Sequence, residues 1–220
     1  MQFERTYGTK INLKKIIRVK KKYGLTTLIR KRSVYRALFK KGEEHKVAPN
    51  LISRDFNPRK NEVCLSTDVT ELRYMGGQKA YLSATKDLRT KEIVSFNVSA
   101  RPTIDFVTED LKTYFDNLSS KQREMTILHS DQGFQYTSFS FRYLLERYGI
   151  TQSMSRKGNC LDNAPIESFF GHLKDEVDCR DCKNVKEVKM RIKNYINYYN
   201  NYRPQWGLKQ KTPAEARVKL

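Results

Sequence analysis

Three β-rich segments follow one another between residues 62 and 100, and this run most narrows what the chain can fold into. EVCLSTDVTEL is β-branched and apolar, GGQKAYLSATKDL opens on a Gly-Gly turn, and EIVSFNVSA follows the polar break RTKE. Connections this short predict an antiparallel meander. The hydrophobic period then changes. In TIDFVTEDLKTYFDNL, Ile104, Val107, Leu111 and Phe115 recur at three- and four-residue steps, which predicts an amphipathic helix. MTILHS reads as a short buried strand, SFSFRYLLERYG as a helix stopped by glycine, and ITQSMS as a fifth strand. Three strands, helix, strand, helix, strand and further helices predict a mixed five-stranded sheet flanked by helices, α/β or α+β in class.

The polar loop SRKGNCLDN leads into APIESFFGHLKDEV. Asp162 or Asn163 is expected to cap this helix, and Pro165 fits its first turn. Ile166, Phe170, Leu173 and Val177 form its apolar stripe, with Glu167, Gly171 and Lys174 on the neighbouring face. In the following helix Tyr195, Tyr199 and Tyr202 share a face with Val188 and Ile192, a spacing that points to core packing before base stacking. Trp206 is expected to anchor the C-terminal turn, and Thr212 with Glu215 forms a capping-box start.

The charge is unevenly spread. The chain of 220 residues has a net charge of +19, and residues 1–60 carry 18 Lys and Arg against 4 Asp and Glu. A basic end on a nearly balanced body points to a polyanion, most simply nucleic acid. Residues 10–41 read as basic helix, and KVAPNLISRDFNPRKNE, with its two prolines, as an extended linker. Two parts are therefore expected: a basic helical DNA-binding segment with linker over 1–56, and a core with C-terminal helices over 57–220. No apolar run approaches membrane-spanning length, and the start lacks a signal-peptide segment, so a cytosolic protein is expected. Cys179 and Cys182 form one C-x-x-C without the second pair that a structural zinc site needs, and Cys64 reads as a small core residue.

Three acids stand at privileged positions. Asp68 lies inside an otherwise apolar strand, where aspartate is disfavoured. Asp131 ends the fourth strand, just before a turn with glycine. Glu167 sits in the first turn of a helix, beside its apolar stripe. If the first and fourth strands are neighbours, the two aspartates face each other and Glu167 arrives from the helix. Three carboxylates at one point repel unless a cation joins them, and hard oxygen donors suit Mg²⁺ or Mn²⁺. The pattern leaves open that Asp131 is only a turn residue. His129, two residues earlier, reads as a hydrogen-bonded structural histidine.

The stretches TDVTEL, QKAYLSATKDLRTKEIVSFNVS, HSDQGFQYTS, SMSRKGNCLDNAPIESFFGHLKDE and YINYYNNYRPQWGLKQKTPAEAR occur in this order between about residues 47 and 216. Together they resemble the OrfB-type insertion-sequence transposases, whose retroviral-integrase-like core has the ribonuclease H fold. The resemblance implies an acidic triad of Asp68, Asp131 and Glu167, with 35 residues between the last two. It implies two divalent ions, Mg²⁺ or Mn²⁺, held by these three acids, and metal-dependent cleavage and 3′-OH strand transfer on double-stranded DNA, at element ends and target. Lys174, seven residues after Glu167, is expected to reach a DNA phosphate, and Arg156, Lys157 and Asn159 to contact DNA from the preceding loop. The family further implies a homo-oligomer on DNA, a possible partner reading-frame product, and a place at the bacterial nucleoid. KRSVYRALFKKG resembles the end of the helical DNA-binding segment that precedes the core, and the chain begins late relative to a typical member. The alternative is a truncated, non-catalytic remnant that occupies element ends; a third reading is a nuclease of the same fold acting on RNA–DNA hybrids.

Overall fold

The computed structural model describes residues 7–25, 46–56, 58 and 62–218. Helix α1 (Leu13–Lys22) realises part of the expected basic helical segment, capped by the Asn12 side chain. The helix stops at Tyr23, with Gly24 following at φ 63°, so the expected helix does not run on through residues 23–25, and residues 26–45, KRSVYRALFKKG included, lie outside the described residues.

Strands β1 (Val63–Tyr74), β2 (Gln78–Asp87) and β3 (Ile93–Ser99) form the antiparallel meander. The β1–β2 turn passes through Gly76 and Gly77 at φ 65° and 94°, a region that residues with side chains rarely adopt. Parallel neighbours need crossovers. Helices α2 (Ile104–Asp116) and α3 (Ser120–Glu124) lead into β4 (Thr126–Ser130), and α4 (Phe134–Thr137) and α5 (Phe139–Tyr148) into β5 (Thr151–Met154). Both strands add in parallel, giving the order β3-β2-β1-β4-β5. Helices α6 (Ala164–Glu176), α7 (Val185–Asn201) and α8 (Pro213–Arg217) complete the chain.

Side chains alternate along a strand, so β1 feeds two cores. Leu65 joins Phe106, Val107, Leu111, Phe115 and Phe141 from α2 and α5. Leu72 and Tyr74 join Ile166, Phe169, Leu173 and Ile192 from α6 and α7. Asp68 shares the parity of Leu72 and Tyr74 and so belongs to the α6 side. Tyr195 and Tyr199 are buried as expected, and Phe169 meets Tyr199 edge-on at 4.9 Å. Truncating a buried aromatic of this kind costs about 3–5 kcal/mol. The apolar stripe of α6 is thereby fixed while Glu167, on its other side, stays exposed.

Several expectations are corrected. Tyr202 is 64% exposed, not part of the core. The helix must stop before Pro204, which restricts the residue ahead of it as well, so the stripe ends at Tyr199. Trp206 is 74% exposed and does not anchor its turn; backbone bonds do, Gln205 N–H to the Lys211 carbonyl at 2.9 Å and Gln210 N–H to the Gln205 carbonyl at 3.0 Å. The expected capping box at Thr212 and Glu215 is formed. Neither Asp162 nor Asn163 caps α6 with its side chain, because both side chains are spent elsewhere, as described below. Residues 46–56, within the segment read as an extended linker, hold no helix or strand and are fastened to the sheet's open edge. Met154 N–H donates to the Pro49 carbonyl at 3.2 Å and Leu51 N–H to Ser153 Oγ at 3.0 Å, while Ile52 is buried with Cys64 and Leu88. An edge strand left bare would present unpaired backbone groups.

Candidate active site

In the parallel β1–β4 pair, Ser66 stands opposite His129. Two residues further along each strand's course come Asp68 and Asp131, close enough for the charge of one to act on the other. The first lies within β1 and the second just beyond β4. Each carboxylate is held by one nearby backbone N–H: Val69 to Asp68 Oδ1 at 2.7 Å, and Gly133 to Asp131 Oδ1 at 2.8 Å. A Cβ on Gly133 would come 2.8 Å from Asp131 Oδ1, so a larger residue there would push the carboxylate aside. The glycine makes room for the site's own carboxylate. Among the described residues, neither Oδ2 accepts a hydrogen bond.

Burial first, then the charge of Asp131, and further that of Glu167, push the Asp68 carboxyl well above the usual carboxylate range; the Val69 N–H and Lys174 pull the other way. Asp131 is also raised, chiefly because protein crowds its carboxyl although the residue keeps solvent access. Glu167 and Lys174 thus both act on Asp68 from α6, as seven-residue spacing on one helix face requires. Among the described residues, no three His, Cys, Asp or Glu side chains are gathered closely enough to hold a metal ion. Two like-charged hard oxygen donors, each with an oxygen to spare and each resisting ionisation, are a donor set that fits a divalent cation.

The loop between β5 and α6 is fastened at both ends beside this pair. At its start, Ser155 N–H donates to the Ser130 carbonyl at 2.8 Å, and Gln132 Nε2 donates to the Ser155 carbonyl at 3.0 Å. At its end, Ser66 donates its hydroxyl to Asn163 Oδ1 at 2.5 Å, and Asn163 Nδ2 donates to the Thr67 carbonyl at 3.3 Å. Asp162 is buried and accepts from Arg54, Arg156 and Asn50. Arg156 and then Arg54 hold its carboxyl far below the usual range. His129 is buried with its ring nitrogens 2.9 Å from Ser153 Oγ and 3.1 Å from Ser155 Oγ, the structural role expected of it.

Of the expected loop contacts, Arg156 is exposed yet bound to Asp162, Lys157 is exposed, and Asn159 is half-buried. Asn163, Asp162 and Arg54 were missed as site-building residues. Their signal was present but ambiguous, since Asp-Asn before a helix reads as a cap and arginine among prolines reads as linker. Lys86, also missed, is buried on β2 and donates to the Pro165 carbonyl, in the first turn of α6, at 3.0 Å. Cys64, Cys179 and Cys182 are free and buried.

A five-stranded mixed sheet flanked by helices, with one aspartate within its central strand and a second just past the end of the neighbouring strand, has the architecture of ribonuclease H-like integrase cores. Residues 58–160 match one model described as integrase core domain, and residues 148–213 match another. The chain belongs to the insertion-sequence transposases with an integrase core. It is 41% identical over 169 residues to InsK, the transposase assigned to insertion sequence element IS150 of Escherichia coli K12, covering 77% of this chain. The chain spans 58% of the length of that relative. It is 40% identical to a transposase-like protein of Haemophilus influenzae, over 80% of this chain and 78% of the relative. Among solved structures, the HTLV-2 integrase catalytic core domain in complex with magnesium superposes with a TM-score of 0.50 at 17% identity, over 71% of this chain and 95% of that one.

Proposed function

We propose that this chain carries the catalytic core of a DNA transposase, which cleaves phosphodiesters at insertion-sequence ends and joins the freed 3′-OH to target DNA. The observation that carries this reading is the pair Asp68 and Asp131, each with its carboxyl raised and one oxygen uncommitted. Asp68, Asp131 and Glu167 would hold Mg²⁺ or Mn²⁺, in two sites. When bound, the ions supply Lewis-acid charge for in-line displacement at phosphorus. The protein's own part is positioning. Gly133 and Val69 orient the two carboxylates through their N–H groups, Asn163 fixes the helix that brings Glu167, and Lys174 on the same face holds a DNA phosphate. Arg156, Lys157 and Asn159 contact the backbone nearby. Element ends come in pairs, so a homo-oligomer on double-stranded DNA, working at the nucleoid and with any partner reading-frame product, is the expected assembly. No helix among the described residues is long and apolar enough to cross a membrane.

The test is Mn²⁺-dependent strand rejoining on a branched DNA, with wild type beside Glu167→Gln. Rejoined strands, lost in EDTA and reduced about 10²–10³-fold in the variant, are the expected result. Salt-sensitive DNA binding without rejoining would replace this reading with a non-catalytic remnant. Shortened RNA from an RNA–DNA hybrid, without joined DNA, would replace it with a hybrid nuclease.

A further inference from the structure

Asp162 stands out among the acidic residues of the chain. Its side chain has no exposed surface, and it accepts five hydrogen bonds. Arg54 Nε and Arg156 Nη2 reach Oδ1 at 2.8 Å and 2.9 Å. Asn50 Nδ2, the Arg156 N–H and Arg156 Nε reach Oδ2 at 3.0 Å, 3.0 Å and 2.9 Å. Both oxygens are saturated. One carboxylate cancels one guanidinium, so the pair keeps a surplus positive charge. Structural neutralisation needs one arginine, and a second placed beside the first adds like-charge repulsion.

The surplus faces outward. The Arg54 and Arg156 side chains are 42% and 59% exposed although their acceptor is fully buried. Arg54 reaches Asp162 through Nε alone, which leaves both of its Nη groups without a hydrogen-bond partner among the described residues. A planar fork with spare donors matches a phosphate, which can accept from two N–H groups at once. Location gives this charge a use. The loop carrying Arg156 and Asp162 is tied to Ser130 at one end and to Ser66 and Thr67 at the other, each of these next to or two residues from Asp131 or Asp68 in sequence. Arg54 arrives from a different part of the sequence, the segment fastened along β5.

We propose that Arg54 and Arg156, gathered on the buried Asp162, form a clamp for a DNA backbone phosphate beside the one at Asp68 and Asp131. Asp162 is its positioning residue. The inference rests on the transposase reading for the identity of the polyanion, and it assigns substrate binding to residues 46–56 as well as to the loop. Docking of that segment on β5 then completes the substrate site.

The test uses the full chain in EDTA, where no strand transfer occurs, with a double-stranded oligonucleotide followed by fluorescence anisotropy across salt concentrations. Each phosphate contact removed lowers the slope of log K against log salt by about 0.9. Arg54→Gln keeps a donor for Asp162 but loses the surplus charge, so its slope falls by about 0.9, and Arg54→Gln with Arg156→Gln, which loses the same single phosphate contact, falls by no more than that. Unchanged slopes in variants that still melt cooperatively would overturn the clamp. Wild-type protein supplies a second measurement that no folding defect can disturb: phenylglyoxal modification mapped by mass spectrometry. DNA is expected to protect Arg54 and Arg156 several-fold, and equal reactivity with and without DNA would overturn the proposal. Loss of strand rejoining with these differences intact would count against the catalytic reading alone.

Discussion

Asn163 Oδ1 accepts the Ser66 hydroxyl at 2.5 Å while its Nδ2 donates to the carbonyl of Thr67, the residue before Asp68, at 3.3 Å. One buried amide thus joins the helix of Glu167 to the strand of Asp68. The join is made by side-chain and backbone groups that no helix or sheet ladder uses, so it sets the relative position of those two elements independently of either.

Asn163→Ala should weaken both folding and strand rejoining while leaving DNA binding nearly unchanged. The change leaves the Ser66 hydroxyl and the Thr67 carbonyl buried without this partner, a loss of about 1–3 kcal/mol. Unfolding by urea is expected to show a stability loss in that range. Strand rejoining should fall about 10–100-fold, the usual effect of removing a group that orients a metal ligand, whereas DNA affinity in EDTA should stay within about twofold. An unchanged rejoining rate would mean that Glu167 finds its place without this amide.

The carboxylate pair gives a pH dependence of known sign. Asp68 and Asp131 are raised in the folded state above their unfolded values, so the folded chain binds more protons than the unfolded chain between the two. Stability of the metal-free protein therefore falls as pH rises from about 4 through the raised folded values, and stays lower above them. Asp131→Asn should stabilise the metal-free protein at neutral pH and flatten this fall. Mn²⁺ should raise the wild-type melting temperature and have little effect on the variant. Thermal melts from pH 4 to 8 with and without Mn²⁺ check both, and an equal Mn²⁺ shift in the two proteins would count against the aspartate pair as a cation site.

Lys86 carries the opposite sign. Burial, with Lys91 and Arg203 adding like charge, pushes its ammonium down to about 7. The unfolded chain then holds the extra proton between about 7 and the ordinary lysine value, and stability should rise with pH through that window. Lys86→Met should lose this rise, since it keeps the packing length and removes the titrating group. Urea denaturation at pH 7 and pH 9 is the check; a variant that keeps the wild-type difference would show that the pH effect arises elsewhere.

The legible parts of the fold are those where one local pattern dominates. Strand alternation in β1 to β3, the three- and four-residue steps of α2 and α6, the Gly149 stop and the Thr212 capping box each follow from neighbours in sequence. Residue type and position likewise singled out Asp68 and Asp131, because a carboxylate inside an apolar strand, or at its end before a glycine, has few local reasons to be there. Where two uses competed for one side chain, the local reading failed. Asp162 and Asn163 have the chemistry of helix caps, yet partners about 100 residues away in sequence, Arg54 and Ser66, take them. Tyr202 continued a helical stripe on paper, but Pro204 ended the helix that would have turned it inward.

By itself, then, the sequence determined which segments are strands and helices, which faces are apolar, and which acids lack a structural excuse, since those depend on periods of two and of three to four residues. Only the tertiary structure decided that β4 lies beside β1 in a register that brings Asp68 and Asp131 near each other. It also decided that the segment 46–56 closes the edge of β5 and brings Arg54 to Asp162. Both are pairings between distant stretches, chosen by burial and by hydrogen bonds between groups that carry no mark of each other in the chain.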